Sequence, residues 1–348
     1  MNWLRVACKI FGCTFFLATL AQAQRPWQLS ARLQSGVEYD SNIYESTART
    51  ASASVGRFLM QTRATYASPR WRITLDYSAA MLAYEGARDE NKVLQEGNGS
   101  LMWLAKNGMR LYLRGQGNLK LYLENPTDYA TTSGSFGTIL PPIKNLSFEI
   151  GAETGQLDYA HGDDFDFTFN GAFLALRRQF GAQISSEAML LYRRFDYVRP
   201  SFANTPSYLE ADTQKDDFTA LRLAASYSRR ILLQGRIEIQ RNRSTRSVFD
   251  YNRLQMHMLV GYPLAPRWLL RASLLFQRKS YLAAAPPISL PELDPEREQS
   301  NNVVFDLSRE LSQTTALLLR LSYHNNESPV RSLFYRKTLV FAGVELHL

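Results

Sequence analysis

Cysteine is almost absent from this 348-residue sequence. Cys8 and Cys13 are the only two, so nothing after residue 13 can form a disulfide or a thiolate metal site. Long apolar runs are missing as well. No segment reaches the roughly eighteen unbroken apolar residues that a membrane-spanning helix needs. Histidine is scarce, at four residues, and no glycine-rich phosphate loop or zinc-ligand spacing occurs. These absences exclude disulfide scaffolds, helical membrane proteins and the common nucleotide and zinc enzymes, and they leave no cofactor or metal to assign.

The first residues read as an address. Arg5 and Lys9 form a basic start, residues 10–20 are apolar, and Ala21-Gln22-Ala23 offers a small-x-small cleavage site. This is the pattern of a secretory signal peptide over 1–23, leaving 24–348 as a single domain. A lipobox reading of Ile10-Phe11-Gly12-Cys13 is set aside because the apolar run continues past Cys13. The formal charge of +8 falls to +6 once Arg5 and Lys9 leave with no acid beside them. A surplus that small gives no reason to expect a nucleic-acid partner.

What the sequence does have is alternation. From 109 to 123 every odd position is Met, Leu or Gly, while the even ones are Arg110, Tyr112, Arg114, Gln116, Asn118, Lys120 and Tyr122. A period of two sends alternate side chains to opposite faces of a strand. The pattern recurs at 71–81, 165–173, 231–242 and 268–279. Helical spacing would scatter these sets around a cylinder, so strands are predicted. In the third of these stretches the reading sends Phe165, Phe167, Phe169 and Phe173 to one face and Asp166, Thr168 and Asn170 to the other. Long strands with one apolar and one wet face suit a wall between lipid and water.

The connections fall into two alternating kinds. Short turn-forming segments such as Lys106-Asn107-Gly108 and 141–145 alternate with mostly longer polar or proline-rich ones such as 41–53, 200–215 and 282–296. Seven of the first kind and eight of the second join sixteen strands, or fourteen if the Gly-, Ser- and Thr-rich stretches 91–104 and 130–140 do not pair. The predicted fold is all-β: a transmembrane antiparallel up-and-down β-barrel in a bacterial outer membrane, with both termini periplasmic. Trp27, Tyr66, Trp71, Trp103, Tyr159, Tyr192 and Trp268 sit near strand ends, where interfacial girdles belong. Outer-membrane lipid and lipopolysaccharide are the expected surroundings. The ending Gly343-x-x-Leu346-x-Leu348 looks like the C-terminal signal presented to the barrel-assembly machinery, with Leu348 in place of the usual aromatic.

If apolar faces meet lipid, the other faces line the interior. The candidate lining residues are Arg110, Tyr112, Arg114, Lys120 and Tyr122 on one strand, with Arg236, Glu238, Arg271 and Lys279 on later strands. Glu149, Glu153 and Asp166 supply acids on the strands between. Bases outnumber acids on these faces, and a lumen with segregated charge biases which ions enter. The expectation is a water-filled channel with modest anion preference. A catalytic reading of His161-Gly162-Asp163-Asp164 lacks a nucleophile setting, and Asp163, Asp164 and Asp166 lack a full calcium-loop pattern.

One short motif adds to this. Val37-Glu38-Tyr39-Asp40-Ser41-Asn42-Ile43-Tyr44 resembles the Tyr-Asp-Ser-Asn element of the type 2 β-barrel porin group, whose members include barrels associated with exopolysaccharide clusters. The resemblance implies a porin-like conduit for small solutes or for an exported polysaccharide strand, the latter with polysaccharide-export components as partners. A track formed by Arg110, Tyr112, Arg114, Lys120 and Tyr122 would serve such a strand. Beside it stands a non-conducting scaffold or adhesin that binds through its long outer loops. Taken as local chemistry alone, Asp40 and Asn42 are a strand end rolling into a polar loop and satisfying backbone groups.

Overall fold

A computed structural model describes residues 27–45, 50–124, 128–160, 166–197, 214–245, 249–282, 301–326 and 335–348. The proposed signal peptide, the His161 cluster and most of the 200–215 and 282–296 loops lie outside these residues. Among the described residues no helix is long and apolar enough to cross a membrane.

Sixteen strands form one closed, wholly antiparallel barrel in chain order. They are β1 (Trp27–Asp40), β2 (Ala53–Ala67), β3 (Trp71–Tyr84), β4 (Lys92–Leu104), β5 (Arg110–Tyr122), β6 (Tyr129–Ile139), β7 (Leu146–Tyr159) and β8 (Phe167–Phe180). The second half comprises β9 (Ile184–Tyr197), β10 (Lys215–Ser228), β11 (Leu232–Ser244), β12 (Tyr251–Ala265), β13 (Trp268–Tyr281), β14 (Asn301–Glu310), β15 (Thr315–Asn326) and β16 (Tyr335–His347). The Gly-, Ser- and Thr-rich strands β4 and β6 both pair along their length with their neighbours, so the count is sixteen and not fourteen. Closure removes the open edges that a sheet would otherwise present.

The wall closes where β1 meets β16, from Arg32↔His347 to Asp40↔Leu339. Beyond the ladder, Ala31 N donates to Leu348 O and Leu348 N donates back to Ala31 O, at 2.9 and 2.8 Å. Short turns gather on the rim that carries Trp27 and His347, and the longer connections gather on the other. The turn chemistry follows local rules. Lys144 and Asn145 both have positive φ, at 49° and 67°. They form a two-residue hairpin turn closed by paired hydrogen bonds between Ile143 and Leu146 at 2.8 and 3.0 Å. Pro263 cannot donate to a ladder, and the β12–β13 register shifts between Pro263 and Ala265.

Alternation now has a physical meaning. On β5 the odd residue Leu113 is 56% exposed, on β7 Ile150 is 57%, and on β11 Ile239 is 56%. Their strand neighbours Tyr112, Glu149 and Glu238 are buried. An apolar band this broad on the outside is what a lipid solvent selects and what water would penalise. At the short-turn rim Trp27 pairs with Tyr66, and Trp71 with Trp103, with ring centroids 5.3 and 6.5 Å apart. These outward aromatics stand where an interfacial girdle belongs.

Candidate functional site

The barrel interior is the site, and the register assigns its lining. Pairings such as Lys92↔Tyr122, Ser100↔Arg114 and Leu104↔Arg110 place the even residues of β4 and β5 on one face. Followed around the wall, that face carries Arg110, Tyr112, Arg114, Lys120 and Tyr122 on β5 and Glu149 and Glu153 on β7. It continues through Arg236 and Glu238 on β11 to Arg271 and Lys279 on β13. It also carries Lys92, Arg177, Asp216 and Arg253.

Two parts of the sequence reading are corrected. Glu153↔Gly171 and Gly155↔Phe169 put the odd residues of β8 inward, so Phe167, Phe169 and Phe173 face the lumen. Asp166 lies before the β8 ladder and off the strand face on which the alternation placed it, and its Oδ1 accepts the Tyr159 N–H at 2.7 Å. The reason is that β8 is apolar on both faces. Ala172, Leu174 and Leu176 supply the outward face, and Phe173 joins an inward cluster with Tyr112, Ile139, Leu191 and Phe218. Tyr159 likewise faces inward, paired with Tyr129, and is not part of the outer girdle.

Lumen charges are tied together across strands. Glu149, 1% exposed as a side chain, lies 3.4 Å from Arg114 and also contacts Arg177, which in turn holds Glu187 at 2.5 Å. Arg193 grips Glu153 through two nitrogens, at 2.5 and 3.3 Å. Arg320 grips Asp306 likewise, at 2.5 and 3.1 Å, while Arg271 approaches the same carboxylate at 3.7 Å. Glu238 accepts from Arg222 at 2.6 Å and from Gln240. Such forked Arg–carboxylate pairs are the strong kind, and they stiffen the wall. The acids of β7 and β9 are therefore largely neutralised by Arg114, Arg177 and Arg193.

Glycine makes room for rings on this wall. A Cβ on Gly137 would lie 2.5 Å from Tyr112 Oη, and one on Gly151 would lie 2.6 Å from Phe173 Cζ. Tyr112 thus lies across β6 and β7, with Arg114 stacked 4.0 Å from its ring centre. The track proposed along β5 is divided accordingly. Tyr112 and Arg114 are built into the wall, Arg110 lies at the short-turn mouth, and Lys120 and Tyr122 lie near the long-loop mouth.

At the short-turn mouth a cavity of about 810 Å³ is lined by Arg110, Arg177, Arg236, His257, Glu187 and Gln234, among others. At the long-loop mouth Lys120 stacks on Tyr122 and Tyr129, at 5.2 and 5.6 Å. Lys279 stacks on Tyr251 and Tyr281, at 4.1 and 4.9 Å. The Asp40-Ser41-Asn42 motif is here too. Asp40 Oδ1 accepts the Asn42 N–H at 2.9 Å, Asn42 Nδ2 donates to Arg336 O at 3.1 Å, and Ser41 Oγ accepts the Thr338 N–H at 2.8 Å. Ile43 is buried against Ala53, Val55, Tyr84 and Ala87. The motif pins the β1 loop to β16 and to the inner wall.

The barrel is similar in fold to OmpF of Salmonella typhi, with 9% identity, a TM-score of 0.54, and 92% of this chain aligned to 97% of that one. Also similar are an anion-selective porin from Comamonas acidovorans (11% identity, TM-score 0.47, 92% and 99%) and a bacterial polysaccharide outer membrane secretin (10% identity, TM-score 0.42, 91% and 97%). No family model matches the sequence, and no curated protein matches it.

Proposed function

We propose that this chain is a porin-like channel of a bacterial outer membrane that passes small solutes with modest anion preference. The observation that carries the reading is the 810 Å³ cavity inside the wall at the short-turn mouth, walled by Arg110, Arg177 and Arg236, with Glu187 the one acid among its described lining residues. A mouth of one charge sign, bounded by low-dielectric wall, concentrates counter-ions of the other. In this reading residues 1–23 direct export, the short turns and both barrel termini face the periplasm, and Gly343-x-x-Leu346-x-Leu348 presents β16 to the assembly machinery. The test is planar-bilayer recording of the refolded barrel across a potassium chloride gradient. A reversal potential of anion-selective sign supports the channel. Cation preference overturns the selectivity, and flat traces favour the non-conducting scaffold or adhesin.

A second cargo, an exported polysaccharide strand, draws support from the long-loop mouth. The Lys120–Tyr122–Tyr129 and Lys279–Tyr251–Tyr281 groups pair ammonium charge with ring faces, a chemistry suited to acidic sugars. Liposome swelling with charged oligosaccharides of increasing length separates the two cargoes, because only a polysaccharide conduit admits long chains.

A further inference from the structure

The short-turn mouth holds guanidinium groups that no ion pair among the described residues takes up. Of the groups lining its cavity, Glu187 is taken by Arg177 at 2.5 Å, and Arg177 is further shared with Glu149. Arg110 and Arg236 line the same cavity and form no ion pair among the described residues. The register shows why. On the lumen face Arg110 stands between Leu104 and Ile139, and Arg236 stands between Ala224 and His257, so no cross-strand neighbour brings a carboxylate. Glu238, two residues along β11, is already held by Arg222 at 2.6 Å.

Two half-buried guanidiniums therefore keep their donors for a partner from solution. Ser185 Oγ and Ser226 Oγ, 2.7 Å apart, line the cavity on the strands between Arg177 and Arg236 and add hydroxyls to it. A guanidinium presents a planar fork that matches two oxygens of one oxyanion, a fit that a spherical halide cannot reproduce.

We propose that Arg110 and Arg236 form a saturable oxyanion-binding subsite at this mouth, selecting solutes that carry a phosphate or carboxylate over chloride. The proposal deepens the channel reading and rests on it for its role in transport, while the binding itself occurs at the mouth. Its test needs no conduction. The refolded, detergent-held full-length barrel is titrated calorimetrically with inorganic pyrophosphate at low salt, and folding of each variant is checked by heat-dependent gel mobility. Saturable binding is expected, weakened by about tenfold or more in Arg110→Gln/Arg236→Gln. Arg72, on the lumen face of β3 opposite Met102, is not among the cavity's lining residues, and Arg72→Gln is expected to leave the affinity within about twofold of the parent. Arg110→Lys/Arg236→Lys keeps the charge, loses the fork, and is expected to fall between. Uptake that never saturates, or an Arg72→Gln loss as large as that of the double variant, overturns the subsite in favour of a diffuse field. Saturable binding by a barrel that does not conduct would retire the channel and keep the subsite.

Discussion

Lys337 on β16 reaches Asp40 on β1 across the seam where the barrel closes, with Nζ 2.9 Å from Oδ2. Both side chains are nearly out of solvent, at 9% and 1% exposure. The same ammonium is 3.1 Å from Glu45 Oε1 in the loop that follows β1. One charge thus joins the last strand, the first strand and the first long connection. Removing it leaves a buried carboxylate without its counter-ion. Lys337→Met is expected to destabilise the barrel by about 3–5 kcal/mol. Asp40→Asn with Lys337→Met should cost less than the sum of the single changes. Urea unfolding of the refolded barrel measures both, and strict additivity would show that the two residues are not coupled.

The Glu45 contact makes part of this seam sensitive to acid. Burial pushes the Glu45 carboxyl up, but Lys337 and then Lys92 outweigh it and hold the group below its ordinary value. A carboxyl whose pKa is lower in the folded state stabilises at pH above its unfolded value. That contribution disappears as pH falls through the folded value. Glu45→Gln should therefore lower the unfolding midpoint at neutral pH and match the parent at strongly acidic pH. A gap between the two proteins that is constant with pH would remove Glu45 ionisation from the account.

The glycine rows predict where the wall cannot accept a side chain. Gly151→Val would set a branched Cβ against Phe173 Cζ and Phe136 O, sites 2.6 and 2.8 Å from an ideal Cβ. Overpacking of this kind costs about 1–3 kcal/mol. Gly97, also within a strand, has nothing within 4 Å of its ideal Cβ. Gly97→Ala should be neutral or slightly stabilising, because alanine leaves the unfolded chain fewer conformations to lose. Equal costs at the two positions, measured by urea unfolding, would show that the rings over Gly151 move aside freely.

Strand count was legible because most strands alternate apolar and polar residues with a period of two, and turn residues mark the short connections. β4 and β6 follow it only loosely, with Gln95, Thr132 and Thr138 on their outer faces and Leu94 and Met102 on the inner one, and pairing to neighbours on both sides completes the wall. Parity misleads in β8, where both faces are apolar. In β8, phenylalanines on the odd positions outweighed Ala172, Leu174 and Leu176 in the pattern, although Phe173 belongs to the lumen cluster around Tyr112 and Phe167 and Phe169 pack on Phe195. Arg177 was lost with them, and with it the bridge from Glu149 to Glu187. Which charges neutralise one another was not readable, because it depends on cross-strand register. Lumen-facing Arg110 and Arg114 look alike in sequence, yet Arg114 meets Glu149 and Arg110 meets Leu104 and Ile139.

The assignment of β8 can be tested with the chemistry the sequence lacks. Cys8 and Cys13 leave with the proposed signal peptide, so a single engineered thiol would be the only one in the mature barrel. Phe169→Cys, on the lumen face, is expected to react with a charged, membrane-impermeant maleimide in liposomes. Leu174→Cys, at a position 51% exposed on the outer face, should react only with a lipid-soluble reagent. A thiolate needs water to form, and lipid suppresses both ionisation and access of a charged reagent. A second pair checks the same face energetically. Leu174→Arg places a charge in the lipid band and should cost about 2–4 kcal/mol, whereas Phe169→Gln stays on the lumen face and should lose only its packing on Phe195 and the Arg193 stack. Reversed labelling of the two thiols would return the phenylalanines of β8 to the lipid side and move Arg177 out of the lumen with them.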